Sequence, residues 1–335
     1  MKEASYYNTL TNGLVRCTLC PHLCLIAENE RGICNVRKNI SGRLYSEYFE
    51  KVTSLGFDPI EKKPLYHFYP GSKILSVGTI GCNMKCLFCQ NYRISQSEVE
   101  NIGVLKTYTA AEIVNMAHKT AGNIGIAFTY NEPGMFYEYM LNIAELAQNT
   151  GLKIVLVTNG YINKKPLEEL LPSMDAFNVD LKAFTDTFYR EITQSRLEPV
   201  KKTIETIASA EKHLEITNLV IPGLNDNYTD FEAMVKWISQ KTGSGTVLHI
   251  SRYFPNYKLK IAATPLNTLL DLYEIASRHL KFVYLGNVVD QVRESTFCDS
   301  CGQKVIARER YETTILALNK NGNCTNCGNH IINHI

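Results

Sequence analysis

No run of about 18 apolar residues occurs in this chain of 335 residues, so no membrane-spanning helix is expected. The first residues, Met1-Lys2-Glu3-Ala4-Ser5-Tyr6, lack the apolar stretch of a secretory leader. A cytoplasmic location without a membrane partner is the expectation. Neither sign of charge dominates: 35 Lys and Arg stand against 33 Asp and Glu, a net charge of +2. That lacks the strong basic field that would mark a nucleic-acid binder. Internal repeats and low-complexity segments are absent too. Cysteine, in contrast, is plentiful. There are 11, and they fall into three groups with none left over. A disulfide framework would need oxidising surroundings and usually a much shorter chain, so grouped C-x2-C pairs favour metal.

The central group is Cys82, Cys86 and Cys89, in the run Cys82-Asn83-Met84-Lys85-Cys86-Leu87-Phe88-Cys89. Thiolates hold iron–sulfur clusters, normally four per cluster. Here a compact loop offers three, and no further cysteine follows until Cys298. A cubane held this way leaves one iron without a protein ligand, free to take a substrate. The alternatives are a zinc knuckle missing one ligand, or three buried thiols. Gly78 and Gly81 precede the loop at a strand end, where ligand loops belong.

Downstream, strand and helix patterns alternate. Strands are predicted at Lys73–Thr79, Ile124–Thr129, Lys153–Thr158, Ala176–Lys182, His213–Ile221, Val247–Ser251 and Phe282–Leu285. Helices are predicted at Ala110–Thr120 after the N-cap Thr109, and at Pro133–Thr150 before Gly151. Others lie around Val200–Lys212, Tyr228–Lys241 and Pro265–Arg278. Repeated βα units imply a parallel sheet covered by helices, an α/β fold of partial or full (β/α) barrel type. A doubly wound sheet is the alternative. The expected division is a cysteine-rich N-terminal segment at 1–60, a core at 61–290 and a C-terminal module at 291–335.

Strand ends supply the candidate polar groups. In Phe177-Asn178-Val179-Asp180-Leu181-Lys182, alternation turns Asn178, Asp180 and Lys182 to one face and the apolar residues to the other. The polar face would point into the barrel, where an unpaired charge is costly. Tyr130-Asn131-Glu132-Pro133 and Thr158-Asn159-Gly160 follow two other strands. His67, in an aromatic loop, would line the cavity or be satisfied inside the core. Trp237 sits on an apolar helical stripe and reads as core. The pairs Lys62-Lys63 and Lys201-Lys202 read as solvated.

Those segments, with Ile221-Pro222-Gly223, His249-Ile250-Ser251-Arg252-Tyr253-Phe254-Pro255 and Glu61-Lys62-Lys63-Pro64-Leu65-Tyr66-His67-Phe68-Tyr69-Pro70-Gly71, follow one another in a fixed order. Together they resemble the radical S-adenosylmethionine (SAM) enzyme of the AmmeMemoRadiSam system. That family is similar to the pyruvate formate-lyase activating enzymes. The resemblance implies a radical SAM partial (β/α) barrel with small metal-binding appendages at both ends. It implies that Cys82, Cys86 and Cys89 ligate a 4Fe–4S cluster whose open iron chelates SAM. Glu132 would accept a hydrogen bond from the SAM amino group, with Tyr130 and Asn131 in place of two glycines. Thr158, Asp180 and Lys182 match SAM-facing positions, and His249 would lie near the adenosyl group. Where the activating enzymes have an aspartate that helps bind a cation, this chain has Val157. The implied reaction is reductive cleavage of SAM to a 5′-deoxyadenosyl radical, which takes hydrogen from a substrate. A glycyl residue of a partner protein and a small molecule are both open. A one-electron reductant such as flavodoxin or ferredoxin is the implied donor.

The outer groups read as metal sites. Cys298-x2-Cys301, then 22 residues, then Cys324-x2-Cys327 has zinc-ribbon spacing, and Gly302 and Gly328 follow the pairs. Cys17-x2-Cys20-x3-Cys24-x9-Cys34 suits zinc, taken first, or an auxiliary cluster, with His22 as a spare ligand. The rival functions are a zinc-ribbon module that binds protein or nucleic acid without catalysis, and a two-cluster electron carrier.

Overall fold

The computed structural model describes residues 1–96 and 105–335. Its centre is an eight-stranded sheet. From one edge, the strands are Val283–Gly286, Val247–Arg252, His213–Val220, Ala176–Asp180, Lys153–Thr158, Asn123–Phe128, Lys73–Gly78 and Ser54–Pro59. The first seven are parallel, and Ser54–Pro59 runs antiparallel at the far edge. Spatial order follows chain order without a reversal. A doubly wound sheet would reverse direction partway, so the order is that of an incomplete barrel with its helices on one side.

The strands form where β-branched and apolar residues cluster, as in Lys153-Ile154-Val155-Leu156-Val157-Thr158. Helix Ala110–Lys119 starts at a capping box: Thr109 Oγ1 accepts from the Glu112 N–H while Glu112 accepts from the Thr109 N–H. The predicted helix Pro133–Thr150 differs at both ends. A 3-10 turn spans Pro133–Phe136 and the α-helix runs Tyr137–Ala147. The Glu132 carboxylate takes the Gly134 N–H, which tightens the first turn.

Sequence patterns missed the strand Ser54–Pro59. Gly56, Asp58 and Pro59 dilute its β signal, and Pro59 is tolerated because it closes an edge strand.

Two apolar layers flank the sheet. Outside, the helices close a large core that includes Ile113, Ile143, Val200 and Ile238, together with Trp237 as expected. Inside, Ile74, Ala127, Val155 and Ala176 meet Ile60, Leu65 and Phe68 and fill one end of the barrel. The cavity therefore opens at the other end, beyond the carboxyl ends of the strands.

The terminal segments pack on this frame. Arg37, fully buried, pairs with Glu138 at 2.6 Å and donates to the Ser5 carbonyl, which fastens the N-terminal segment to helix Tyr137–Ala147. The C-terminal segment forms a three-stranded sheet of Thr296–Phe297, Lys304–Glu309 and Glu312–Ile315. Its Val305, Ile306, Ile331 and Ile332 pack on Tyr66, Phe282 and Tyr284 of the barrel. Buried Arg308 donates to the Tyr66 carbonyl and to Thr296 Oγ1. Among the described residues no helix is long and apolar enough to cross a membrane.

Candidate active site

The carboxyl ends of the parallel strands surround one cavity of about 610 Å³. Cys82, Cys86 and Cys89 line it, as do Tyr130, Asn131, Glu132, Thr158, Asp180, Lys182 and His249. All of the catalytic and cofactor residues expected from sequence therefore share one chamber. His67 does not line it. That ring is interior, Nε2 meeting Tyr284 Oη at 2.6 Å, and burial pushes its imidazole down to about 3.

The cysteine loop is fixed from several sides. Lys85 N–H and Leu87 N–H donate to the Thr193 and Ile192 carbonyls. Asn83 donates to the Tyr161 carbonyl and accepts from Asn159. Gly81 has φ +87°, and a Cβ there would stand 2.6 Å from the Cys34 carbonyl oxygen. Only glycine fits that approach. At Gly78 a Cβ would strike the Tyr130 ring at 2.8 Å. Asn131 braces the same loop: its carbonyl oxygen accepts from Thr79 N–H and its amide donates to the Gly81 carbonyl.

Burial raises the proton affinity of all three thiols, that of Cys86 to about 12. Thiolates in such a place need positive charge beside them. Lys182 supplies some. Burial disfavours its ammonium, but Asp180 at 2.8 Å and the nearby Cys86 outweigh burial, so the proton is held more tightly than usual.

Glu132 is 6% exposed and holds three neighbours together. Its Oε1 accepts from Gly134 N–H at 3.0 Å and Thr158 Oγ1 at 2.7 Å, and its Oε2 accepts from Asn159 N–H at 2.8 Å. A carboxylate accepts about four hydrogen bonds, so room for one more donor remains. Burial raises its proton affinity despite those bonds.

His249 hangs from Glu215, a wholly buried carboxylate, with Nε2 to Oε2 at 2.6 Å. Glu215 also meets His213 Nε2 at 2.9 Å and accepts from the Tyr66 and His67 N–H groups. Burial alone would raise the Glu215 carboxyl. The bonds from His213 and His249 reverse that and hold it well below the usual carboxylate range.

The other side of the chamber overturns one expectation. Lys63 is not solvated: it is 1% exposed, lines the cavity and pairs with Asp58 at 2.7 Å. Lys62 pairs with the same carboxylate, and Tyr130 Oη donates to it at 2.5 Å. The short 3-10 turn Ile60–Lys62 swings both lysines back onto the preceding strand. Burial would raise Asp58, but these three partners hold it far below its usual range. Lys201 likewise lies over the Phe184 and Trp237 rings, while Lys202 remains exposed as expected. Tyr311, from the C-terminal sheet, reaches the same cavity.

Sequence reasoning missed Asp58, Lys63, Glu215 and Tyr311. Glu215 had a signal. His213, Glu215 and Thr217 alternate with apolar residues just as Asn178 and Asp180 do. Asp58–Lys63 and Tyr311 had none, because tertiary contacts alone bring them here.

At the C-terminus, Cys298, Cys301, Cys324 and Cys327 present four sulfur atoms within 4.8 Å of one another. Cys298 to Cys327 is 3.6 Å and Cys301 to Cys324 is 3.8 Å. Gly302 and Gly328 take positive φ at the two knuckles, as their placement suggests. His22 is drawn elsewhere, its Nε2 against the Asn83 carbonyl at 2.7 Å.

A sequence model of the radical SAM superfamily matches residues 76–238. An uncharacterized protein of Methanocaldococcus jannaschii is 40% identical over 334 residues, 99% of both chains. The chain belongs to the radical SAM superfamily. The benzylsuccinate synthase activating enzyme of Thauera aromatica is 24% identical to this radical SAM enzyme over 117 residues, 35% of each chain. A solved radical SAM methyltransferase from Sphaerobacter thermophilus has TM-score 0.52 and 16% identity, covering 70% of this chain and 71% of that one. That likeness is one of fold. The superfamily implies a 4Fe–4S cluster and SAM. The donor set fits both: three thiols in one wall of the chamber, and beside them a carboxylate with an acceptor position to spare.

Proposed function

We propose that this chain is the radical SAM enzyme of an AmmeMemoRadiSam system and takes a hydrogen atom from a glycyl residue of a partner protein. The observation that carries the reading is convergence. Three thiols, the Glu132 and Asp180 carboxylates, Lys63 and Lys182, and a carboxylate-bound histidine meet in one cavity of about 610 Å³ at the ligand end of the barrel. The likeness to an activating enzyme supports a protein substrate.

Cys82, Cys86 and Cys89 would hold the cluster. Glu132 would receive the amino group of SAM, with Thr158 keeping its carboxylate aimed. Lys182 keeps positive charge beside Cys86, and Asp180 keeps Lys182 in place. Tyr130 and Asn131 would shape the pocket by bracing the loop and Asp58 rather than by donating to SAM. His249, fixed by Glu215, would face the adenosyl end. Held by Cys82, Cys86 and Cys89, a reduced cluster would supply the one-electron chemistry by which SAM is cleaved. The protein's part is to bind, orient and exclude water. The electron would come from a flavodoxin or ferredoxin in the cytoplasm. The C-terminal thiols would hold zinc, because a tetrahedral zinc with Zn–S near 2.3 Å sets its sulfurs about 3.8 Å apart.

The test is anaerobic reconstitution, chemical reduction and a count of 5′-deoxyadenosine formed from SAM. Turnover above background is expected, with a glycyl-radical EPR doublet on the partner protein. No 5′-deoxyadenosine from protein with a filled central site would overturn the reading of the cavity. SAM cleavage with every protein partner silent would return the substrate to small molecules.

A further inference from the structure

The N-terminal cysteines are built unlike those at the C-terminus. Cys17 and Cys24 face each other across a hairpin, Cys17 N–H donating to the Cys24 carbonyl at 3.0 Å. Cys20 lies in the turn between them, and Cys34 arrives from the next loop. All four are free, and three are buried. A Cβ on Gly32, two residues before Cys34, would stand 3.7 Å from Cys24 Sγ, so the Cys34 loop lies against the hairpin. They form one constellation.

Its spacing excludes a ready-made zinc site. Two sulfurs on one zinc are separated by at most about 4.6 Å, twice the Zn–S length. The C-terminal thiols meet that limit. Among the described residues they are the sole group of three or more His, Cys, Asp or Glu with ligand atoms all within 4.8 Å of one another. No three of the N-terminal thiols lie within 4.8 Å of one another. Nor do Cys82, Cys86 and Cys89, which belong to a cubane site. A cubane needs a wider stance, because each thiolate binds a different iron.

The constellation also adjoins the central loop. His22, between Cys20 and Cys24, contacts the carbonyl of Asn83, the residue after Cys82. The Cys34 carbonyl lies against Gly81, the residue before it, so close that no side chain would fit. Asn163, beyond the strand that carries Thr158, donates to the Thr18 carbonyl.

We infer that Cys17, Cys20, Cys24 and Cys34 hold a second iron–sulfur cluster, rather than zinc, in contact with the central cysteine loop. Its chemistry is one-electron acceptance: an external reductant of the flavodoxin or ferredoxin class is oxidised by one electron and this cluster is reduced by one. No bond forms or breaks in that step.

Iron, sulfide and zinc are counted in full-length protein reconstituted anaerobically, beside the variant Cys82→Ala/Cys86→Ala/Cys89→Ala. The expected counts are about eight irons in the parent and about four irons with about four sulfides in the variant. That variant should also keep a reducible visible absorption band and an EPR signal. Adding Cys20→Ser and Cys34→Ser should remove this iron. A triple variant without iron, whatever its zinc content, overturns the inference. So does iron that survives the added serines. If the five-site variant fails to fold, the triple variant decides alone. The counts do not depend on SAM cleavage, so the failure of this inference and the failure of the proposed function are separable.

Discussion

The central cysteine loop and the C-terminal four-cysteine sheet use the same short C-x2-C step and reach opposite ends. The C-terminal site is closed: four sulfurs within 4.8 Å leave no place for a further ligand. The central site is open. Its three thiols look into a cavity shared with Glu132, Asp180 and Lys182. The C-x2-C step by itself does not separate the two. The difference lies in what surrounds each loop, solvent and a small apolar cluster in one case, the ligand end of a barrel in the other. A closed shell stabilises a fold; an open one has chemistry left to do.

The largest effect should come from the open site. Replacing Cys82, Cys86 and Cys89 by alanine should abolish 5′-deoxyadenosine formation while metal binding at the C-terminal cysteines persists. Metal analysis and product assay on the same sample check both halves. Residual SAM cleavage would break the distinction drawn here.

The closed site should fail differently. Cys298→Ser with Cys324→Ser should remove metal binding at the C-terminal cysteines, zinc on the proposed reading, and leave the central iron in place. Arg308, buried against Tyr66 and within 3.9 Å of buried Glu61, depends on this sheet for its position. Displacing the sheet takes the Arg308 charge and the Thr313 hydroxyl away from buried Glu61 and leaves it the Gly71 N–H, a loss on the order of 1–3 kcal/mol. Denaturant unfolding measures it. A stability unchanged within 1 kcal/mol, on the order of an ordinary surface substitution, would mean the sheet is an ornament on the barrel.

Most of the open site was legible in the sequence. The thiol loop, Glu132 and the Asn178–Asp180–Lys182 alternation are local patterns, and local patterns survive folding. The fold was legible for the same reason, since each βα unit carries its own periodicity. What escaped were groups whose meaning is made at a distance. Lys63 reads as one of two surface lysines until the turn after Ser54–Pro59 buries it on Asp58. The strand itself hid because an edge position tolerates glycine and proline. Zinc spacing at Cys298–Cys327 was legible, but not that Arg308 and Tyr311 between the two pairs would meet the barrel.

Within the open site, Glu132→Gln should cost roughly ten- to hundredfold in SAM affinity, the scale of one charge-assisted hydrogen bond at about 1.5–3 kcal/mol. Glutamine keeps the shape, and its one carbonyl oxygen can still accept from Gly134 N–H and Thr158, while the bond from Asn159 N–H is given up. Alanine would loosen both and mix folding with binding. Titration of SAM against the cluster-loaded variant reads the effect. Wild-type affinity would reassign Glu132 to bracing its own turn.

A smaller effect is expected from pH. Glu215 has a folded value depressed below its unfolded one, by the bonds from His213 and His249 against the opposing effect of burial. A depressed carboxylate contributes its full stability above the unfolded value, near 4.3, and loses it as pH falls toward the folded value. The melting temperature of the wild type should therefore fall more steeply below about pH 5 than that of Glu215→Gln. Parallel curves would mean that Glu215 binds its proton alike in both states.

The smallest effect should fall where the closed module touches the open one. Tyr311 sits at the turn between Lys304–Glu309 and Glu312–Ile315, next to Arg310 at positive φ. It lines the cavity yet remains 52% exposed, so it is a rim residue. Losing part of an exposed aromatic contact costs about 0.5–1 kcal/mol, a two- to fivefold change. Tyr311→Ala should leave SAM affinity, zinc content and 5′-deoxyadenosine formation without substrate untouched. It should raise KM for the substrate by that factor, because the rim is where a large substrate would meet the C-terminal sheet. Steady-state kinetics with the partner protein separates the two. A change in SAM affinity instead would place Tyr311 with the cofactor, and the closed module would then be part of the open site's inner wall.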